Sequence, residues 1–129
     1  MVNRGGSSHI GSVLSIADIL AVLYADIMKY NAEKPKWDGR DRFILSKGHA
    51  GAGVYAVLAE CGFFETAKLM DHFQVGSVSS GHVSDNSIPG VDLPTGALGH
   101  GLPVGTGMAL AATLDTMQHH IFLLMSDGE

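Results

Sequence analysis

The run Ile121-Phe122-Leu123-Leu124-Met125, closed by Ser126-Asp127-Gly128-Glu129, decides the fold. Continuous apolar residues bounded by a turn signal read as a strand buried on both faces, the pattern of a parallel sheet. A second short run, Phe43-Ile44-Leu45, leads into Ser46-Lys47-Gly48-His49. Helical spacing fills the chain around and between them. Ser15 and Asp18 form a capping box with Asp in place of Glu, and Ile16, Ile19, Leu20, Leu23 and Ile27 follow at helical intervals. Val54, Val57 and Leu58 repeat the spacing before Gly62, a natural stop. A short helix is expected over 67–73 and a longer one over 104–114. Residues 34–42 and 75–90 read as loops, and residues 1–8 as polar and structureless. Strands alternating with helices give an α/β fold, a parallel sheet flanked by helices. In such folds ligands sit beyond the carboxyl ends of the strands, where both polar, glycine-flanked segments lie.

Of the 129 residues, 46% are hydrophobic and 16% charged. The charged share is below the usual quarter, so the chain has much apolar surface to hide, against a partner or against more of its own fold. The last strand lacks a crossover helix to cover it, and few residues precede the first helix. The fold therefore reads as incomplete at both ends. A formal charge of −5 without any basic run gives no reason to expect nucleic acid. A single cysteine, Cys61, fits a reducing compartment, so a cytoplasmic location is expected, and no secretory signal leads the chain. Residues 93–114 carry no formal charge, and Gly101 and Gly105 stand at helix-pairing spacing. The sustained apolar part, 108–114, is too short to cross a bilayer, so no membrane span is expected.

The candidate chemistry lies in histidines and glycines. Four of seven histidines have glycine next to or near them: His9, His49, His82 and His100. Glycine lets a ligand approach the backbone, and a histidine held there can donate to an anion or move a proton near neutral pH. Each is equally compatible with an ordinary loop residue. A zinc site is the rival reading, but the spacings are wide and no His-x-x-x-His pair occurs; His119 and His120 point to opposite faces of a strand. Asp127, at the end of a strand beside Gly128, is placed either to ligate Mg²⁺ on a bound phosphate or to cap a helix. Thr95-Gly96-Ala97-Leu98-Gly99-His100-Gly101 could cradle a phosphate or a flat ring, yet it lacks both the dinucleotide fingerprint and the Walker ending.

Taken in order, these segments resemble the transketolases. Ser8-His9-Ile10-Gly11 is similar to the family's first histidine motif, Ser46-Lys47-Gly48-His49-Ala50 to the second and Gly81-His82 to the third. Residues 89–109 resemble the glycine-rich stretch that follows, and Ser126-Asp127-Gly128-Glu129 the start of the thiamine diphosphate motif. The resemblance covers nearly the whole chain and is greatest to the amino-terminal subunits of split transketolases. It implies a partial thiamine diphosphate-binding domain over 1–129, with thiamine diphosphate and a divalent metal, Mg²⁺ or else Ca²⁺ or Mn²⁺, as cofactors. It further implies that His49 contacts the diphosphate, that Gly96, Ala97 and Leu98 line the thiamine, and that Gly128 approaches the diphosphate through its backbone. Asp127 would bind the metal. His9 and His82 would meet the sugar as catalytic residues. A two-carbon ketol unit would pass from a ketose phosphate to an aldose phosphate, as in the pentose phosphate pathway of carbohydrate metabolism.

Three positions depart from the family pattern. Ser126 replaces a glycine, Val83 a frequent proline and His100 a frequent glutamine. The family's metal-binding asparagine and the domain whose glutamate activates the aminopyrimidine are not in the chain. The resemblance thus implies a partner, either a carboxy-terminal transketolase subunit or the remainder of the polypeptide, in a dimer or other homo- or hetero-oligomer, and no turnover by the chain alone. Alternatives are an enzyme like 1-deoxyxylulose-5-phosphate synthase, which Gly96-Ala97-Leu98-Gly99 disfavours, and a non-catalytic α/β interaction module.

Overall fold

The structure is a computed structural model that describes residues 1–84 and 88–129. Two strands, β1 (Arg42–Leu45) and β2 (Ile121–Leu124), pair in parallel, with Arg42 opposite Ile121 and Leu45 opposite Leu124. The ladder runs one residue further at each end, where Arg42 N donates to His120 O and Ser46 N to Leu124 O. Before β1 come α1 (Val2–Gly5), α2 (Ile10–Leu14) and α3 (Ala17–Val22), the last widening into a π-helical turn over Leu23–Ile27. After β1 a 3₁₀ turn (Gly48–Ala50) opens α4 (Gly51–Glu60). A 3₁₀ segment (Thr66–Asp71) and a long irregular stretch lead to α5 (Gly101–Leu114) and then β2. The α/β class expected from the alternation is the class observed.

One core fills the space between β1 and the α3–α4 layer. Ile16, Leu20 and Tyr24 meet Val54, Tyr55 and Leu58 there, with Phe43, Leu45 and Leu124 from the strands. Alternation along β1 turns Ile44 to the opposite face, toward α5. That helix meets the sheet through small residues: its buried positions are Gly101, Gly105 and Ala112. A Cβ on Gly101 would stand 2.5 Å from Ser46 Cβ, and one on Gly105 3.5 Å from Ile44 Cδ1. The glycine spacing that mimics a membrane helix pair therefore serves helix-on-sheet packing. No helix among the described residues is long and apolar enough to cross a membrane.

Several expectations need correction. Residues 1–8 are not structureless: α1 forms there, and Gly6, in the left-handed region at φ 62°, turns its amide back onto the helix carbonyls to end it. Ser15 is not the N-cap of the following helix: it ends α2, its hydroxyl donates to Ser12 O, and the residue before α3 is Ile16. Of the expected stripe Ile16 and Leu20 are buried, while Ile19 and Ile27 stay exposed because α4 covers only one side of the helix. The segment expected as a helix over 67–73 is a 3₁₀ run, and α5 begins at Gly101 rather than 104. Pro103 is tolerated because the first-turn N–H groups have no partner within the helix. The end of α4 is as read, with Gly62 at φ 82° following the last turn. The loop expected over 75–90 is irregular where described; 85–87 lie outside the described residues. In β2 Leu124 is buried, but residues 121–123 are only half-buried.

Asp41 ties the lower ends of the strands together. It is 2% exposed, and its carboxylate accepts from Lys29 N at 2.8 Å and His120 N at 2.7 Å. Burial acts to raise its pKa, but these backbone donors and the neighbouring His120 ring outweigh it and hold the group below its ordinary 3.8. The stabilisation is therefore complete above pH 3.8 and is lost as pH falls through the lower folded value. Asp41→Ala leaves two amides unpaired and is expected to cost about 2–4 kcal/mol. Urea unfolding at pH 7 and pH 3 tests this, and the difference between the two proteins should shrink at the lower pH.

Candidate functional site

The site is assembled by three loops that meet over the carboxyl end of β1. Gly48 lies against Thr95, and a Cβ there would come within 2.2 Å of Thr95 O. A Cβ on Gly51 would come within 2.8 Å of Val83 N. Backbone bonds stitch the loops together: Val83 N donates to Gly48 O at 3.2 Å, and Thr95 N to Val83 O at 3.1 Å. Thr95, itself buried, donates its hydroxyl to Leu45 O at 2.6 Å. Tyr55 fastens the middle loop from α4. Its hydroxyl donates to His82 O at 2.6 Å and accepts from Ser84 N at 2.8 Å. Ser80 Oγ adds a second bond to His82 O. A proline at 83 would lack the N–H that Gly48 O receives.

This stitching brings three of the four glycine-flanked histidines into one cluster. Ring centroids are 4.9 Å apart for His49 and His82, 5.1 Å for His9 and His49, and 5.7 Å for His9 and His82, all edge-on. His9 comes from a separate segment, at the start of α2. Its backbone is left-handed at φ 71°, a conformation that costs a β-carbon residue about 1–3 kcal/mol and that collects at functional sites. Lys47 Nζ donates to Ser15 Oγ at 2.9 Å, joining the strand-end turn to the corner after α2. His82 has a depressed pKa because burial and then the neighbouring His49 and His9 rings oppose a positive charge. A cluster of this kind can donate to an anion from several sides.

The glycine-rich turn lies alongside. Gly96 is next to His82, with a built Cβ 3.7 Å from His82 Cδ2. Ala97, Leu98, Gly99 and His100 are exposed ahead of α5, and His100 stays outside the imidazole cluster. Asp127 and Gly128 are exposed on the turn that ends β2, with open space around the Gly128 Cβ position. Sequence reasoning passed over Glu129. Its carboxylate accepts from Ser46 Oγ at 2.6 Å, Gly99 N at 2.7 Å and Ser126 N at 2.7 Å. Ser126-x-x-Glu129 is capping-box spacing, and the Ser126 N bond is the one that motif predicts. Burial alone would raise the Glu129 pKa, but the donors from Gly99, Ser46 and Ser126 bring it down to about 2.

A sequence profile described as "Transketolase, thiamine diphosphate binding domain" matches residues 1–129. The chain belongs to the transketolase family. It is 43% identical over 129 residues to a subunit of the apulose-4-phosphate transketolase of Phocaeicola vulgatus, covering 100% of this chain and 46% of that protein. It is 38% identical over 128 residues to a 6-deoxy-6-sulfo-D-fructose transketolase subunit of Clostridium sp., again 46% of its length. A solved transketolase from Leishmania mexicana superposes with a TM-score of 0.89 at 37% identity, over 98% of this chain and 21% of that one. The chain thus spans about half the length of the first two relatives and about a fifth of the third.

The matched domain is one that binds thiamine diphosphate, and the residues present fit that group. The exposed 96–99 turn offers bare backbone at Gly96 and Gly99 with the apolar Leu98 side chain between them, and the imidazole cluster borders it at Gly96. The exposed Asp127 offers one oxygen ligand, which suits an ion that takes one or two carboxylates and completes its shell with phosphate oxygens. Among the described residues no three His, Cys, Asp or Glu side chains could hold a metal by themselves.

Protonating His82 is disfavoured in the fold, so acidification below its ordinary 6.5 works against the assembled cluster, and the cost is absent above that pH. The groups facing it are His49 and His9. His9→Gln removes one like charge and should raise the His82 pKa toward 6.5, which a proton NMR titration of the imidazole signals reads directly.

Proposed function

We propose that this chain forms the diphosphate-binding part of a transketolase that moves a two-carbon ketol unit from a ketose phosphate to an aldose phosphate. The supporting observation is the convergence of His9, His49 and His82 beside Gly96, in a glycine-rich turn whose Gly99 is bonded to Glu129 on the turn that carries Asp127. In this reading His49 and the Gly128 amide hold the diphosphate, Asp127 ligates a divalent metal such as Mg²⁺, and Gly96, Ala97 and Leu98 line the thiamine. The cofactor, when bound, supplies the electron sink for the carbon transfer. His9 and His82 face the sugar. His82, kept neutral by burial and its neighbours, accepts a hydrogen bond or a proton from a sugar hydroxyl, and His9 orients the carbonyl end. A partner subunit, or further polypeptide, brings the second metal ligand and the glutamate that activates the aminopyrimidine. Two relatives are named as subunits, which supports an assembly of that kind.

The purified chain with thiamine diphosphate and Mg²⁺ is expected to show no ketol transfer above background in a coupled sugar phosphate assay, while the complete enzyme does. In the complete enzyme His49→Ala weakens cofactor binding about ten- to a hundredfold, the cost of a lost charge-assisted hydrogen bond, whereas His9→Ala lowers kcat with cofactor affinity preserved. Asp127→Asn weakens Mg²⁺-dependent cofactor binding and leaves the circular dichroism spectrum unchanged; an unaltered Mg²⁺ dependence would reduce Asp127 to a helix cap.

A further inference from the structure

Glu129 stands where three segments meet, and nothing in the proposed chemistry uses it. One carboxylate oxygen, Oε1, accepts from Ser46 Oγ beyond β1 and from Gly99 N ahead of α5. The other, Oε2, accepts from Ser126 N and Ser126 Oγ after β2. Ser46 Oγ in turn accepts from Gly101 N at 3.1 Å, the first residue of α5. Ser46 is 1% exposed, and Gly101 is pressed against it, so this relay is anchored in the packed part of the fold.

The consequence falls on the glycine-rich turn. At its upstream end Thr95 is bonded to Val83 and Leu45, and at its downstream end Gly101 is bonded to Ser46. Between them, among the described residues, Gly99 is the one residue of 96–100 whose amide donates, and it donates to Glu129. Gly99 is also left-handed at φ 82°, in a turn without large buried side chains to hold its shape. A free turn of this kind would sample many conformations, and ordering it on binding would cost affinity.

We propose that Glu129 is a positioning residue: its carboxylate clamps the 96–100 turn to the ends of both strands and so presets the seat for the cofactor. The seat itself rests on the function proposed above. The carboxylate acts through the turn and touches neither the metal nor the reacting atoms, which separates it from Asp127 two residues earlier.

The test uses the complete enzyme with Glu129→Ala, Glu129→Gln, Ser46→Ala and the Ser46→Ala/Glu129→Ala pair. Glu129→Ala should weaken thiamine diphosphate binding about ten- to a hundredfold, because an ionised acceptor is removed. The ratio of affinities with and without Mg²⁺ should stay as in the unsubstituted enzyme, since the metal ligand is untouched. Glu129→Gln should recover part of the loss through its amide oxygen. The Ser46 and Glu129 effects should be less than additive, as members of one network. Amide exchange at Gly99 should speed up in Glu129→Ala without cofactor present. Two results would overturn the clamp: unchanged Gly99 exchange and unchanged affinity with only a lowered melting temperature, or loss of the Mg²⁺ dependence, which would make Glu129 a metal ligand. Should the unsubstituted enzyme bind no thiamine diphosphate, the cofactor reading falls, and Gly99 exchange alone decides whether Glu129 holds the turn.

Discussion

The close approach of Gly48 to the Thr95 backbone governs the architecture of this site. With 2.2 Å between a built Cβ and Thr95 O, no other residue type fits without moving the loop that follows. The contact fixes where the 94–100 segment starts, ahead of α5, which Gly101 and Gly105 then seat on the sheet. It also sets the gap in which Val83 N meets Gly48 O, which places His82 beside His49. A substitution at this point would displace His82 and the glycine-rich turn together, because the backbone bonds link them in series.

Two kinds of constraint hold the cluster. Polar backbone groups are paired by buried donors, above all Tyr55 and Thr95, whose hydroxyls replace the pairing that a wider sheet would supply. Glycines remove bulk where loop and helix must touch. The combination puts chemistry on loops while leaving the loops little freedom, as expected where side chains must be held close to a working geometry. His9 shows the cost, with a left-handed backbone that the surrounding packing must sustain.

The apolar surplus in the composition reappears as uncovered surface. Ile19, Val22, Leu102, Leu110 and Leu114 are all exposed, on α3 and α5. The chain matches relatives about twice its length, so these faces agree with a domain that packs against more protein than the 129 residues themselves provide.

Much of the fold was legible in sequence because its signals are local. Runs such as 43–45 and 121–125 read as parallel strands from their length and flanking turn signals, although 121–123 are only half-buried, and helical spacing around Leu20 and Leu58 follows from the 3.6-residue period. The histidine candidates were legible through their glycine neighbours and through family resemblance, which needs only order and spacing along the chain. Other features were out of reach. The Ser15 hydroxyl has the sequence signature of a cap, yet whether it bonds forward or back to Ser12 depends on how α2 enters the corner. Gly101 and Gly105 carry a spacing shared by membrane helix pairs and by helix-on-sheet packing, and only the position of Ile44 distinguishes them. The sequence by itself determined the two strands and the longer helices, the order of the motifs and the presence of imidazoles, glycines and a strand-end carboxylate. The tertiary structure alone decided that His9, His49 and His82 stand within 6 Å of one another. It alone decided, too, that Glu129 reaches back to Ser46 and Gly99, since contacts between residues far apart in the chain are set by loop closure and close packing, to which local spacing is blind.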